Sequence, residues 1–147
     1  MREPVKMKKG FSLIEILIVI ALVAILVSMG SAFSTSAISR TYALSERNLL
    51  VSLLTQTRAK ALANSNEKAH GLYIDTDNYV TYEGSEYTEE NPSNRIIPKN
   101  SKVTIVGLQD ITFQQLTADV IHTGSIEIKG DSQNYFIEIN NVGRIEW

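Results

Sequence analysis

A long apolar run near the start of the chain constrains this 147-residue sequence more than any other feature. Between residues 11 and 33 all but five side chains are apolar, and no charged residue occurs from Ile16 to Ser39. As an α-helix, this uncharged stretch would be about 36 Å long, which exceeds the ~30 Å hydrocarbon core of a bilayer. We therefore predict a transmembrane helix over residues 11–39.

The distribution of charge predicts how that helix is oriented. The first ten residues carry four basic side chains and one acidic side chain, a net charge of +3. The remaining 137 residues carry ten basic and fifteen acidic side chains, a net charge of −5. Basic residues before an apolar segment keep the N-terminus in the cytoplasm. We therefore expect the chain after the helix to be exported.

The composition argues against several functional classes. Without cysteine, the chain has no disulfide scaffold, thiol nucleophile or cysteine-bound metal centre. Two distant histidines, His70 and His122, offer little for a metal site. The formal charge of −2 and the scattered cations Arg95, Lys99 and Lys102 do not favour nucleic acid as a partner. We expect no cofactor, no metal and no catalytic activity.

Three interpretations of the apolar run compete. It is a secretory signal cut near 30–32 or 35–37, a plain signal anchor, or a leader cut before the run. Glu15 decides between them, because a carboxylate in a membrane helix costs about 2.5–3.5 kcal/mol on insertion scales. A signal peptide or an anchor has no use for such a residue, so Glu15 is expected to have a function and a partner.

The stretch KKGFSLIE at residues 8–15, followed by about twenty apolar residues, resembles the processing motif of type IV prepilins and type II secretion pseudopilins. The resemblance implies that Lys8 and Lys9 are the basic residues of a leader. It also implies that a prepilin peptidase cleaves between Gly10 and Phe11 and methylates the new amine of Phe11.

The same resemblance implies that Glu15 pairs with the N-terminal amine of a neighbouring subunit during assembly. Physical chemistry agrees, since cleavage would leave a cationic amine at a helix N-terminus, where negative charge is favoured. A neighbour that is shifted along the filament axis satisfies both charges and relieves their burial cost. The alternative is that Glu15 extends to the lipid headgroups.

A second helical pattern begins at Arg40 and is amphipathic, and Asn64–Asn66 form its predicted end. We predict either one helix from Phe11 to about Asn64 or two helices with a hinge near Gly30. The apolar positions of the pattern are Leu49, Leu50, Leu53, Leu54, Ala61 and Leu62, and the expected surface positions are Glu46, Arg47, Arg58 and Lys60.

The chain after Asn66 has the alternation and turn residues of a β-rich head. The acidic stretch 84–94 is predicted to be a loop, and calcium binding by it stays open. Trp147 is expected to pack on the sheet or to contact another subunit. The predicted strands are Ala69–Ile74, Tyr79–Glu83, Lys102–Val106, Ile111–Gln115, Ser125–Lys129, Tyr135–Asn140 and Arg144–Trp147.

These elements predict an α+β fold, in which a long helix, first transmembrane and then amphipathic, packs on an antiparallel sheet of five to seven strands. The resemblance identifies this arrangement as the pilin fold. We expect a removed leader at 1–10, an assembly helix at 11–39, an amphipathic half at 40–66 and a head at 67–147.

The head is similar to the GspH/FimT group of minor pilins and pseudopilins, through Arg58-Ala59-Lys60-Ala61 at the end of the helix and Gly143-Arg144 before the last strand. Many major pilins have a mid-helix proline and a C-terminal disulfide loop, which this sequence lacks. Both differences favour a minor subunit.

We predict a structural subunit of a type IV pilus or a type II secretion pseudopilus, held in the bacterial inner membrane with its N-terminus inside and later part of an extracytoplasmic filament. The implied partners are prepilin peptidase, other pilin or pseudopilin subunits, the inner-membrane assembly platform and, before assembly, the lipid bilayer. Alternatives are a major pilin, a signal-anchored extracytoplasmic binding domain that does not polymerise, and an anchored hydrolase.

Overall fold

The computed structural model describes residues 10–130 and 133–147, without the side chains of residues 29–39. One α-helix precedes a short 3₁₀ turn and eight strands, which confirms the α+β class. The elements are α1 (Leu13–Leu62), the 3₁₀ turn (Ser65–Glu67), β1 (His70–Ile74), β2 (Asn78–Glu83), β3 (Arg95–Pro98), β4 (Thr104–Gly107), β5 (Asp110–Phe113), β6 (Gly124–Lys129), β7 (Asn134–Ile139) and β8 (Ile145–Glu146).

The chain divides into two compact units, the first ending at Thr35 and the second covering Ser36–Trp147. In the first unit, the large apolar side chains of α1 from Leu13 to Val27 are 51–82% exposed. A transmembrane helix is expected over residues 11–39. Within the described residues, no helix combines the length and the apolar character that crossing a membrane requires.

The second unit contains two four-stranded antiparallel sheets instead of the single expected sheet. The first sheet has the order β3-β2-β1-β5, and the second has the order β4-β6-β7-β8. The division arises because β5 pairs with β1, placing Ile111 opposite Leu72, whereas β4 pairs with β6. This pairing buries Ile111 and Phe113 beside Leu72 in the core.

Each of the seven predicted strands corresponds to an observed strand, with boundaries shifted by one or two residues. The prediction missed β3, which forms the edge of the first sheet and pairs Ile97 with Tyr79. Pro98 ends this strand, and proline in a short segment is a signal against strand structure. An edge position tolerates it, since one side of the strand forms no ladder there.

Both sheets contribute to one hydrophobic core that also includes α1. The helix supplies Ala43, Leu50, Leu53, Leu54 and Ala61, whose spacing of three and four residues puts them on one face. The inner faces of the sheets supply the other buried members: Leu72, Ile74, Tyr79, Val103, Ile111, Phe113, Ala118, Val120, Ile126, Ile128, Ile137 and Ile139.

The helix ends where the sequence predicts, because two asparagines adopt positive φ angles. Asn64 has a φ of 54° and Asn66 a φ of 55°, the left-handed region that asparagine tolerates better than most residues. The backbone carbonyl of Ala61 accepts a 3.0 Å hydrogen bond from the amide of Leu116, which satisfies one of the last carbonyls of the helix.

Glu46 is not a surface residue as expected, since only 5% of it is exposed. Its carboxylate accepts a 2.8 Å hydrogen bond from the hydroxyl of Tyr79 on β2. The prediction failed because the charge of a glutamate in a helical pattern favours the surface, whereas a hydrogen-bond donor supplied by a distant strand compensates its burial.

Candidate processing and assembly site

Gly10 and Phe11 lie just before α1, and both are exposed. A Cβ atom built on Gly10 has no other atom of the described chain within 4 Å. The space around Gly10 within the described chain therefore does not require a glycine.

Glu15 lies in the first turn of α1, where its amide donates a 3.0 Å hydrogen bond to the carbonyl of Ser12. Its side chain is exposed, and within residues 10–130 and 133–147 no cation forms an ion pair with it. Ser12 and Glu15 have the spacing of a capping box, in which the glutamate bonds back to the start of the helix. Helix capping is thus the structural alternative to a role in assembly.

Phe11, just before α1, and Glu15, in the first turn of α1, face the same depression. Together with Ile16 and Val19 they line a shallow depression of about 240 Å³. Glu15 supplies a carboxylate in an otherwise apolar lining. Chemically, the depression suits a cationic group that is attached to an apolar chain.

The structure therefore brings together two of the five residues that the sequence predicts for this site, with Gly10 next to them in the chain. Lys8 and Lys9, the predicted leader cations, lie outside the described residues. Cleavage after Gly10, methylation of Phe11 and amine pairing by Glu15 stay predictions.

A cluster of tyrosines covers the outer face of the first sheet, and the sequence analysis did not find it. The ring of Tyr87 stacks on Tyr73 with centroids 4.2 Å apart and planes 5° from parallel. The hydroxyl of Tyr82 donates to Asp110 at 2.5 Å and lies 2.6 Å from the hydroxyl of Thr112. Burial, and then the hydrogen bond to Asp110, raise the pKa of Tyr82 above its usual value.

The alternation in β1, β2 and β5 contains the signal for this cluster, because it places these side chains on the face opposite the core. What the sequence lacks is the pairing of β1 with β5, which brings Thr112 opposite Gly71 and Asp110 opposite Tyr73.

The histidines do not form a site. His70 is buried on β1, where its Nε2 lies 3.0 Å from the carbonyl of Ser65, and His122 is exposed. Among the described residues, no group of three or more His, Asp or Glu side chains is placed to hold a metal ion.

Comparison with known families gives one finding. Residues 5–31 match the family model described as the prokaryotic N-terminal methylation motif. This motif is the signal of type IV pilin-like prepilins and supports a structural subunit that is processed by prepilin peptidase and assembles with other pilins. It also indicates anchoring in the inner membrane and a later extracytoplasmic location. Searches of curated proteins and of solved structures found no match.

Proposed function

We propose that this protein is a minor subunit of a type IV pilus or of a type II secretion pseudopilus, released by cleavage between Gly10 and Phe11 and methylated at Phe11. The observation that carries the proposal is the methylation motif over residues 5–31, which overlaps the exposed apolar part of α1. The matched residues include the cleavage site that we propose, and the helix would supply the surface for assembly.

The geometry of Gly10 supports a role in processing. Because no atom of the described chain crowds a side chain there, a peptidase that accepts only a small residue before the cleaved bond accounts for the glycine. The residue is exposed and precedes the helix, so its peptide bond is in the extended or irregular conformation that a protease requires. Lys8 and Lys9 then act as the basic leader residues on the cytoplasmic side.

The position of Glu15 supports a role in assembly. Cleavage leaves a cationic amine on Phe11, one turn before the carboxylate. An exposed glutamate beside Ile16 and Val19 loses its water when apolar helices pack around it, and an unpaired buried charge costs several kcal/mol. The amine of a correctly placed neighbouring subunit pairs with the Glu15 carboxylate and removes that cost. A misplaced neighbour leaves the carboxylate buried without a partner, which disfavours that arrangement.

The apolar side chains between Leu13 and Val27 must be covered in the cell. Uncovered apolar surface costs about 25 cal/mol per Å², and twelve large apolar residues lie exposed on this part of α1. We propose that the lipid bilayer covers them before assembly and that α1 helices of other subunits cover them in the filament. The inner-membrane assembly platform then moves each subunit from the first environment to the second.

Three sequence features support a minor subunit in the GspH/FimT group. The sequence contains no cysteine for the C-terminal disulfide loop of many major pilins, and it ends α1 with the pattern at 58–61 that resembles this group. Gly143 and Arg144 precede β8 as expected, with Gly143 at a φ of 68° in the turn.

The test compares two variants of Glu15 in the native host. Glu15→Ala removes both the charge and the capping ability, whereas Glu15→Gln keeps an amide that still serves a capping box but carries no charge. We expect both variants to be cleaved normally and neither to enter filaments, as measured by shearing, pelleting and immunoblotting. Glu67→Gln, which changes an exposed glutamate of the 3₁₀ turn, is the matched control and should assemble normally.

The outcomes separate the competing roles. If Glu15→Gln assembles like the unchanged protein while Glu15→Ala does not, Glu15 caps the helix and amine pairing is wrong. If both variants assemble, Glu15 has no role in assembly. A protein that is never cleaved and never found in filaments would instead be a signal-anchored binding domain.

A further inference from the structure

The second sheet has an open edge along β4, whose ladder with β6 lies on one side only. The amide of Leu108 donates a 3.1 Å hydrogen bond to the carbonyl of Ser125 on β6. In an antiparallel ladder every second residue bonds to the partner strand, so the N–H and C=O groups of Ile105 and Gly107 point away from β6. No hydrogen bond within residues 10–130 and 133–147 reaches these four groups.

The open edge of β4 borders a depression of about 340 Å³, named here the β4 slot. Residues 103–109 line it on one side, and residues 74–76 with Lys99 line it on the other. The amide of Ile74 donates a 2.8 Å hydrogen bond to the carbonyl of Gln109 and joins the two sides at one end. The Nζ of Lys99 donates a 2.9 Å hydrogen bond to the carbonyl of Asp75 and stabilises the second side. The β4 slot is therefore bounded on both sides.

The slot offers both the backbone groups and the apolar surface that an added strand needs. Ile74 and Val103 belong to the buried core, and Ile105 and Leu108 are partly buried against it. Ile105 and Gly107 present their free donors and acceptors about 7 Å apart, the repeat of two residues in a strand. In strand addition, backbone hydrogen bonds supply affinity and recesses for alternate side chains supply specificity. An extended peptide segment matches this lining.

The β4 edge also lacks the protection that the other sheet edges have. Natural edge strands are blunted by charged side chains, by proline or by a covering segment. Strand β3 ends with Pro98, β5 is bridged on its outer side to Val120, and β8 carries the 2.9 Å ion pair of Arg144 with Glu146. Strand β4 reads Thr-Ile-Val-Gly, without a charge or a proline, and Val106 is 40% exposed. Such an edge favours pairing with a further strand.

We propose that an extended segment of a different filament subunit adds to β4 as a further strand in the β4 slot. Its backbone exchanges hydrogen bonds with Ile105 and Gly107, and an apolar side chain of the segment packs on Ile105 and Leu108. Among the described residues that line the slot, only Asp75 and Lys99 are charged, and with opposite signs, so an uncharged segment fits. The segment is a loop or a tail, because the second side of the slot leaves no room for a strand that already belongs to a sheet.

The identity of the partner rests on the proposed function, whereas the β4 slot is a property of the fold. An edge of four residues makes a weak contact in isolation. Subunits that are already held together by α1 meet at a high effective concentration, at which a weak contact between heads forms. Strand addition then selects a neighbour by its extended segment, which packing of apolar helices alone does not do. Such selection suits a minor subunit, whose neighbours differ from it.

The test is amide hydrogen exchange at single residues of β4 in the full chain. One sample is captured by antibody from sheared filaments and, in parallel, from solubilised membranes of the native host; the other is the same chain purified alone in detergent. We expect the amides of Ile105 and Gly107 to exchange at least about tenfold more slowly in the captured sample, a factor that corresponds to about 1.4 kcal/mol. Thr104 and Val106 bond to β6 in both samples and should exchange equally.

A pair of substitutions at Ile105 tests the pairing independently. Ile105→Pro removes the N–H that faces the slot and keeps the bonds between β4 and β6, a position at which a sheet edge tolerates proline. Ile105→Ala also loses the isoleucine side chain but keeps the N–H, so it is the matched control. We expect Ile105→Pro to enter filaments about tenfold less than Ile105→Ala, as measured by immunoblotting of sheared fractions. Urea denaturation of both purified variants checks that they are equally stable.

The outcomes distinguish this inference from the proposed function. Strand addition is overturned, and filament assembly stands, if the chain enters filaments while Ile105 and Gly107 exchange as in the isolated chain. Equal slowing of all four amides, or equal incorporation of the proline and alanine variants, overturns it as well. Protection of these two amides in a membrane complex, without filaments, supports strand addition and contradicts the proposed function. If the chain enters no filament and neither amide is protected, both are wrong.

Discussion

The hydroxyl of Tyr79 donates a 2.8 Å hydrogen bond to the carboxylate of Glu46, a residue 33 positions earlier on α1. The same carboxylate oxygen accepts the amide of Asn100 at 3.3 Å. One buried acceptor thus connects the helix to β2 and to the turn after β3. Burial, followed by the hydrogen bond to Glu46, raises the pKa of Tyr79 far above its usual value.

Tyr79→Phe should lower the free energy of unfolding by about 1–3 kcal/mol, because Glu46 loses a partner while it stays buried. The substitution should also change how the free energy of unfolding depends on pH. The folded state keeps the phenol proton of Tyr79, which the unfolded chain loses near pH 10. The contribution of this proton to the stability of the fold is therefore complete below pH 10 and falls above it. The slope reaches at most about 1.4 kcal/mol per pH unit.

Urea titrations from about pH 8 to about pH 11 check this prediction. The unchanged protein should lose more stability across the range than Tyr79→Phe does, and subtracting the two curves removes the contribution of lysines. Parallel curves would show that Tyr79 ionises equally in both states.

Gly71→Ala should destabilise the fold through one specific collision. A Cβ atom at position 71 would overlap Cζ of Tyr82, so the ring must leave its place over the strand and its hydroxyl must leave Asp110. We expect a loss of about 1–3 kcal/mol, typical of overpacking. In a Tyr82→Ala background the same change should cost much less, and a double-mutant cycle by urea denaturation measures the difference. If Gly71→Ala lowers the free energy of unfolding equally in both backgrounds, a collision with the ring of Tyr82 is not the cause.

Gly143 and Gly10 should respond to alanine in opposite ways. Gly143 has a φ of 68°, and its Cβ would overlap the carbonyl oxygen of Ala118, so Gly143→Ala should cost more than about 1 kcal/mol. Gly10→Ala should leave stability within about 0.5 kcal/mol, since its Cβ meets nothing. Gly10→Leu should also fold normally but stop cleavage, seen as an unprocessed band. Efficient cleavage of Gly10→Leu would show that the peptidase does not recognise Gly10.

Tyr87→Ala should release the acidic loop, residues 84–94, without unfolding the head. The stacked pair with Tyr73 contributes about 0.5–1.5 kcal/mol, and the core lies on the other face of the sheet. Amides 84–94 should exchange hydrogen faster, while those of β1 and β2 keep their protection. Tyr87→Phe retains the stacking and serves as the control. Unchanged exchange in the alanine variant would mean that the hydrogen bonds from the side chains of Asn91 and Asn94 to backbone carbonyls alone hold the loop.

Local signals explain what the sequence predicted well. The processing motif at 8–15 depends on residue types within one short window, and the match to the methylation motif agrees with it. The end of α1 at Leu62, two residues before Asn64, also depends on a local property, the tolerance of asparagine for positive φ. Strand alternation is similarly local, and seven of the eight strands follow from it.

Non-local pairing explains what the sequence did not predict. The split into two sheets requires β5 to pair with β1 although β2, β3 and β4 lie between them in the sequence. Burial of Glu46 likewise depends on its hydrogen bond to Tyr79 on β2. In both cases the environment of a residue is set by a part of the fold that is distant in the sequence.

The central claim is cleavage between Gly10 and Phe11, and the most direct test is N-terminal sequencing with intact mass of the protein from membranes of its native host. The account predicts a chain that begins at Phe11 with a methylated amine. A chain that begins at Met1 would be a plain anchor, and one that begins near Phe33 or Ile38 would be a secreted domain. Either result would contradict the filament function.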